Sequence, residues 1–453
     1  MAPRKTYIIG VGKTKYEKPR NRIGYEELGL QAATKALLDA GINYDDIQQA
    51  YVGYVYGDST CGQRALYALG MTQIPIVNVN NNCSTGSSAL YLASQMVESG
   101  ACECTMALGF EKMAPGSLAN AFNDRTNPLD KTLEVVGEIG SSSHGPFAAR
   151  VFGSGGEEYC KRFGATWEDI AAIASKNHAH SANNPYSQFQ NTMTVEEVLA
   201  EKKVSGNVTR AMCCPTSDGG ACAIVASEDF VKAHKLENQA IEIASLAMTT
   251  DSPKLFSKSA IELTGADMSR RAAQRAYSAA GITPQDERLR VIECHDCFAP
   301  NELLLYDALG LAEPGKAHEL VRRKDNTYGG RYLVNPSGGL ESKGHPLGAT
   351  GLGNVFYLAM QLRGWAGPMQ APEVAPNGAV KDPHAMLHNL GLGGSCVVGL
   401  FRRPDFYQVS QGGEDGRQRL GYNHGCECRE VTQADVDKVK SKKAFSPYAA
   451  ARL

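Results

Sequence analysis

The sequence predicts an α/β protein built from two related halves with mixed sheets. Three observations predict it. Ala-Gly-Ile occurs at 40–42 and again at 280–282, each time between an Ala-rich helical stretch and an acidic turn that runs into a strand. A strand, a loop with a reactive side chain and a helix follow one another around Cys83 and again around His345. The 453 residues, 43% of them hydrophobic, are ample for a large core divided between domains or duplicated.

The elements follow in order. Residues 28–54 read as helix, turn and strand, and residues 268–294 read the same way. Ile-Pro-Ile-Val-Asn-Val-Asn (74–80) reads as a short buried strand. After it, Ala89, Leu90, Leu92, Ala93, Met96 and Val97 recur at helical spacing, predicting a helix from about 87 to 99. Residues 331–335 predict a strand, then a Gly-rich loop holding His345, then a helix over 347–363. The N-terminal half is expected over 1–112 and 206–240, and the C-terminal half over 241–403. Residues 113–205, rich in Gly, Ser, Asn and Pro, predict a loop domain inserted in the N-terminal half, with helical pieces near 147–163 and 167–181. Such insertions on rigid scaffolds serve as lids or binding loops. Residues 404–420, with Gly412, Gly413 and Gly416, predict a linker, and 431–442 one short polar helix in a C-terminal tail that ends at 453.

Composition excludes several classes. A net charge of −2 provides no basic field for nucleic acid. No apolar run reaches the roughly 18–20 residues of a membrane span, and the N-terminus lacks the apolar core of a secretory signal. Thirteen scattered cysteines are an odd number and fit a reducing compartment better than a disulfide framework. The close pairs Cys102/Cys104, Cys213/Cys214 and Cys426/Cys428 lack zinc-site spacing, so no metal is expected. The last residues, Ala-Arg-Leu, match the small–basic–Leu pattern read by the peroxisomal import receptor, so a peroxisomal location is expected.

Cys83 lies in Asn-Asn-Cys-Ser-Thr-Gly-Ser-Ser (81–88), between strand and helix. The positive end of the helix dipole is expected to favour its thiolate there. His295, Asp296, Cys297 and Phe298 follow a strand directly. His345 sits in Gly-His-Pro (344–346), framed by glycines and followed by a helix start that discourages protonation. A cysteine with a neutral histidine is the minimal apparatus of covalent acyl transfer. The glycine-rich run 391–394 after His388-Asn389 is placed to offer a backbone N–H to an oxyanion.

These four segments resemble the four active-site loops of the thiolase superfamily: Cys-x-Ser, Asn-Glu-Ala-Phe or its variants, Gly-His-Pro and Cys-x-Gly. His-Asp-Cys-Phe resembles one branch in particular, the sterol carrier protein 2/sterol carrier protein x thiolases. The similarity covers residues from about 5 to 403. It implies two βαβαβαββ halves in a five-layered α-β-α-β-α arrangement. It further implies that Cys83 is acylated and that His345 activates it. His295 would replace the usual asparagine in holding an oxyanion, and the N–H groups of Cys83 and Gly391 would form a second oxyanion hole. Asn389 stands where ordinary thiolases carry their acid/base cysteine, and Cys297 is the natural substitute, ahead of Cys396. The implied reaction is cleavage of a 3-oxoacyl-CoA by CoA, releasing acetyl-CoA or propanoyl-CoA, with CoA as co-substrate, no tightly bound cofactor and a homodimeric enzyme. The rival readings are a ketosynthase-type condensing enzyme and a non-catalytic lipid carrier. The Gly-His-Pro context disfavours the first. The short stretch after 403 disfavours the second.

Overall fold

Strands and helices alternate through both halves, and the sheet order shows how the halves are related. The computed structural model describes residues 4–20, 23–113, 124–140, 144–409 and 414–450. The Ala-Arg-Leu terminus, and stretches 114–123 and 141–143 of the expected insertion, fall outside the described residues.

The strands are β1 (Thr6–Lys13), β2 (Gln49–Gly53), β3 (Ile76–Val79), β4 (Cys104–Glu111), β5 (Lys203–Ser205), β6 (Val208–Thr209), β7 (Gly219–Ser227), β8 (Ile241–Thr249), β9 (Leu289–Glu293), β10 (Leu333–Val334), β11 (His384–Gly391) and β12 (Ser395–Arg402). Ten of them form one sheet in the order β10-β9-β11-β12-β8-β1-β7-β4-β2-β3. Outward from the β1–β8 seam the two arms are equivalent: β1-β7-β4-β2-β3 one way, β8-β12-β11-β9-β10 the other. Strand directions match too. The inner two pairings of each arm are antiparallel and the outer two parallel. The seam itself is narrow, pairing only Tyr7 with Glu242 and Ile8 with Ile241.

The repeated Ala-Gly-Ile has a physical cause. Gly41 and Gly281 end the helices Tyr25–Ala40 and Ala266–Ala280 in the left-handed conformation, at φ 68° and 66°. The next N–H, of Ile42 or Ile282, reaches back to Leu37 or Tyr277 at 3.2 and 3.1 Å, closing the helix end. These two helices cover the outer faces, the first on β1 and β7, the second on β8 and β12. Between the two arms lie the helices Thr85–Glu98 and Leu347–Arg363, packed on each other and on both arms. The second is buried along all its 17 residues, as a helix enclosed on every side must be. The result is five layers, α-β-α-β-α. The central layer is tight: a Cβ on Gly109 would lie 2.0 Å from the Gly348 carbonyl oxygen, and one on Gly86 2.7 Å from it.

Between β4 and β7 the chain forms helices Asp130–Glu138, Phe147–Phe163, Trp167–Ser181 and Val195–Ala200 and the β5–β6 hairpin. Capping boxes Thr166/Asp169 and Thr194/Glu197 start two of them. Residues 410–413 of the expected linker fall outside the described residues, and the described part of the C-terminal stretch differs from a linker. Asp415 caps a short helix, Gly416–Leu420, whose Arg419 donates to the Asp39 carbonyl and to Gln239. The predicted polar helix is Gln433–Val439, and its Val436 and Val439 are buried against the N-terminal half. Polar composition suggests a loose segment. Arg419 and Arg417 instead dock, the latter over the Trp365 ring at 4.9 Å, while Asp415 and Asp435 cap helices within the stretch. Among the described residues, no helix is long and apolar enough to cross a membrane.

Candidate active site

Cys83 lies in the turn between β3 and the helix Thr85–Glu98. The turn is fixed from both sides. Asn82 adopts φ 51°, a left-handed geometry asparagine tolerates, and its amide donates to the Leu392 carbonyl at 3.0 Å. The Asn81 N–H donates to Thr85 Oγ1 at 2.8 Å. Gly391 packs against this turn so closely that a Cβ there would lie 2.3 Å from the Asn81 oxygen. The Gly-rich hairpin after β11 is therefore brought beside Cys83, as the sequence suggests.

The thiol is buried beside Met113 and Leu347. Burial, and then the Glu111 carboxylate, push it up to about 12. This corrects the expectation of a standing thiolate: the helix start is present, but dehydration outweighs it. Cys83 rests as a neutral thiol and needs a base.

His345 supplies one. Its Nδ1 lies 2.7 Å from Thr350 Oγ1, and that hydroxyl donates to the Pro346 carbonyl at 3.0 Å. Thr350 must therefore accept from Nδ1–H, which leaves Nε2 as a lone pair. Nε2 is buried with no partner. Burial, reinforced by the Lys343 ammonium, brings His345 down to about 3, so the imidazole stays neutral. Cys83, His295 and His345 each present a donor atom within 4.8 Å of the other two, and the two rings meet edge to face at 5.0 Å.

Asn389 does not mark an empty position. Fully buried, its Nδ2 lies 3.0 Å from His295 Nδ1 and its Oδ1 accepts from Ser87 Oγ at 2.7 Å. In that orientation Nδ1 is an acceptor, so His295 carries its proton on Nε2, toward the cavity. His388 Nδ1 accepts from the His295 backbone N–H at 3.4 Å while its Nε2 meets Ser269 Oγ at 2.9 Å. Burial lowers His295 well below its ordinary range, so it acts as a neutral donor.

Cys83, His295 and His345 line one cavity of about 580 Å³, with Cys297 and also Cys213 and Cys214 on its wall. Burial raises the Cys297 thiol well above its ordinary value. Cys396, by contrast, meets Ser269 Oγ at 3.8 Å and does not line the cavity. Leu129, Leu133, Phe147, Phe152 and Val204, from the segment between β4 and β7, close the cavity's apolar side. Phe152 stacks on Phe298 at 5.3 Å.

Several groups escape sequence reasoning. Glu111 accepts the N–H groups of Gly348 and Tyr56 at 2.8 and 3.0 Å, tying three loops together. The segment 213–217 bridges both histidine loops. Cys214 N–H donates to the Cys297 carbonyl at 2.9 Å, and Ser217 Oγ accepts the His345 N–H at 3.0 Å. The run Cys-Cys-Pro-Thr-Ser carries no local signal of this. Thr350, five residues after His345, is a further partner that the sequence reading does not single out.

Comparison with known proteins agrees with this geometry. Residues 6–202 match the model of the thiolase N-terminal domain and residues 249–388 that of the thiolase C-terminal domain-like family. The chain is 52% identical over 401 residues to a sterol carrier protein 2 of Gallus gallus, covering 88% of this chain and 72% of that one. Among solved structures, the Ltp2-ChsH2(DUF35) aldolase superposes with a TM-score of 0.72 at 19% identity, covering 89% of this chain and 100% of that one. The dimeric peroxisomal thiolase of Saccharomyces cerevisiae gives 0.64 at 17%, covering 89% and 98%. At such identities the structures establish the fold alone, which by itself does not fix a chemistry. Both halves of the family are matched in order, and half the positions are shared with a relative over most of the chain: this chain belongs to the thiolase family of acyltransferases, in the branch of the sterol carrier protein 2 relatives.

Proposed function

We propose that the protein is a 3-oxoacyl-CoA thiolase that shortens straight or 2-methyl-branched acyl chains in peroxisomal β-oxidation. The observation that carries this reading is the meeting of Cys83, His295 and His345 within 4.8 Å inside one cavity. His345 Nε2 takes the Cys83 proton as the sulfur attacks the 3-oxo carbon. The N–H groups of Cys83 and Gly391 receive the tetrahedral oxyanion. The C2–C3 bond then breaks. His295 Nε2–H and the newly protonated His345 hold the enolate oxygen of departing acetyl-CoA or propanoyl-CoA, and Cys297 protonates its carbon. In the second half the Cys297 thiolate takes the proton of CoA, whose sulfur collects the acyl group from Cys83, and His345 returns its proton to the departing Cys83 thiolate. CoA is the only co-substrate this scheme needs, and no resident cofactor enters it.

The apolar wall of the cavity supports a hydrocarbon acyl chain, with the segment between β4 and β7 lying over the thioester arm. The yeast structural neighbour is described as dimeric and peroxisomal, which supports both traits here. The exposed Val77 on β3, an edge strand, supports pairing with a second copy through that edge. The import address remains Ala451, Arg452 and Leu453.

The test is CoA-dependent cleavage of straight and 2-methyl 3-oxoacyl-CoAs. Cys83→Ala is expected to abolish turnover with the fold intact. Cys297→Ala is expected to keep acylation of Cys83 but lose overall turnover. Full activity of Cys83→Ala would overturn the assignment, and unchanged turnover of Cys297→Ala would move the acid/base role elsewhere.

A further inference from the structure

The three side chains that meet in the cavity have a second chemical capacity. One thiol and two imidazoles, drawn from three separate loops, converge with their donor atoms within 4.8 Å of one another. The cysteine spacings that speak against a structural zinc site do not bear on this set. We propose that Cys83, His295 and His345 form a three-ligand site for a borderline divalent cation of the Zn2+ class, and that its occupation blocks acyl transfer.

Four features support it. His345 Nε2 is a buried nitrogen without a partner, on a residue that lines the cavity. Its Nδ1 is already held by Thr350, the outer contact that orients a ligating imidazole. Tetrahedral zinc with bonds of about 2.0–2.3 Å sets its donors about 3.4–3.8 Å apart, so donors within 4.8 Å of one another must close by about 1.4 Å at most. The fourth position opens on the cavity, where a water completes the shell.

His295 must present a lone pair, and the structure provides the means. Ser87 Oγ contacts both the Ser84 carbonyl at 2.9 Å and the Asn389 amide at 2.7 Å. Turning the Asn389 amide by half a turn keeps every bond. Its Nδ2 then donates to Ser87 Oγ, which donates to Ser84, and its Oδ1 accepts from His295 Nδ1–H. The Nε2 lone pair is then free for the metal. One S–metal and two N–metal bonds form, the Cys83 proton leaves to solvent, and nothing is oxidised or reduced. The same amide thus selects between an oxyanion donor and a metal ligand.

The experiment uses the full chain, reduced and freed of metal, with Zn2+, Co2+ or Mg2+ as the probe. Alkylation of Cys83 by iodoacetamide is followed by peptide mass spectrometry without substrate. Micromolar Zn2+ is expected to slow it at least 10-fold, reversibly by chelator, while Mg2+ has no effect. Co2+ is expected to give a thiolate-to-metal charge-transfer band, and X-ray absorption one sulfur and two imidazole ligands. His295→Asn is expected to weaken zinc by roughly 10–100-fold. If that variant fails to fold, absorption on the unmodified chain decides. Unchanged alkylation, equal protection in a folded His295→Asn protein, or a sulfur-only shell would overturn the proposal. The alkylation arm does not depend on the thiolase reading, whereas the inhibition of turnover rests on it, so the two can fail separately.

Discussion

A threonine decides how the histidine beside Cys83 behaves. Thr350 donates to the Pro346 carbonyl and so can only accept from His345. Thr350→Val removes the acceptor and leaves Nδ1–H buried and unpaired. The expected result is a kcat lower by roughly 10–100-fold with KM little changed, as for outer contacts that orient a functional imidazole; steady-state thiolysis measures it, and Thr350→Ser should restore most of the rate. Protons act at the same scale. Burial brings His345 and His388 down to about 3 and His180 and His424 down to about 4. In the unfolded chain each protonates near 6.5. The stability they contribute is complete above pH 6.5 and is lost as pH falls toward 3–4, at up to about 1.4 kcal/mol per pH unit for each. Glu111, raised by burial to about 8, has the opposite sign, its contribution fading as pH rises through 8. Burial also lowers His178, His295 and His384, and also raises Glu27, Asp251, Asp296, Asp307 and Glu341, so among the described residues seven imidazoles stand against six carboxyls and keep the larger share between pH 5 and 6.5. Thermal melts between pH 7 and 5 should therefore show Tm falling with pH.

At the level of elements, the active site is a junction of loop ends whose spacing is set by glycine. Gly391→Ala would place a methyl 2.3 Å from the Asn81 oxygen and press on the turn that holds Cys83. Overpacking of this kind costs about 1–3 kcal/mol. Its larger effect should fall on turnover, because the shift lands on the nucleophile. Circular dichroism is expected to change little while thiolysis drops at least 10-fold; full activity would show that the turn yields freely. The same scale explains what the sequence could reveal. Gly41 and Gly281 advertise the duplication because a left-handed helix end demands a glycine locally. Cys83, His295 and His345 were legible because strand-to-loop-to-helix patterns frame them. Ser217, His388 and the part Asn389 plays were not. Each acts through a contact between segments about 90 to 300 residues apart, and no local pattern encodes such a meeting.

Across the whole molecule, the C-terminal stretch finishes the N-terminal half. Val431, Val436 and Val439 are buried there, worth about 4–6 kcal/mol as an upper bound. Beneath the stretch, Arg363 pairs with Asp39 at 2.8 Å, both side chains fully buried, with His424 and Arg419 packed over them. Ending the chain at residue 403 should strip this cover and leave the pair partly exposed. The expected outcome is a lower Tm and a lower denaturant midpoint, measured against the full chain; an unchanged midpoint would mean that the stretch merely rests on the surface. Its docking was illegible because Gly, Asp and Arg in a row read as a solvated connector until their partners are in place.

The seam between the arms also sets a timetable. β1 is made before the other described strands, yet its neighbours are β7, whose Ser227 faces Thr6, and β8. About 220 residues must be added before either exists, which at 5–20 residues per second is about 10–45 s of synthesis. For that time Tyr7, Ile8, Ile9 and Val11, all buried in the finished protein, remain an apolar strand with two open edges on the nascent chain. The expected consequence is that β1 is exposed to aggregation until β7 is made, and slowing translation before β7 should lower the yield of soluble protein.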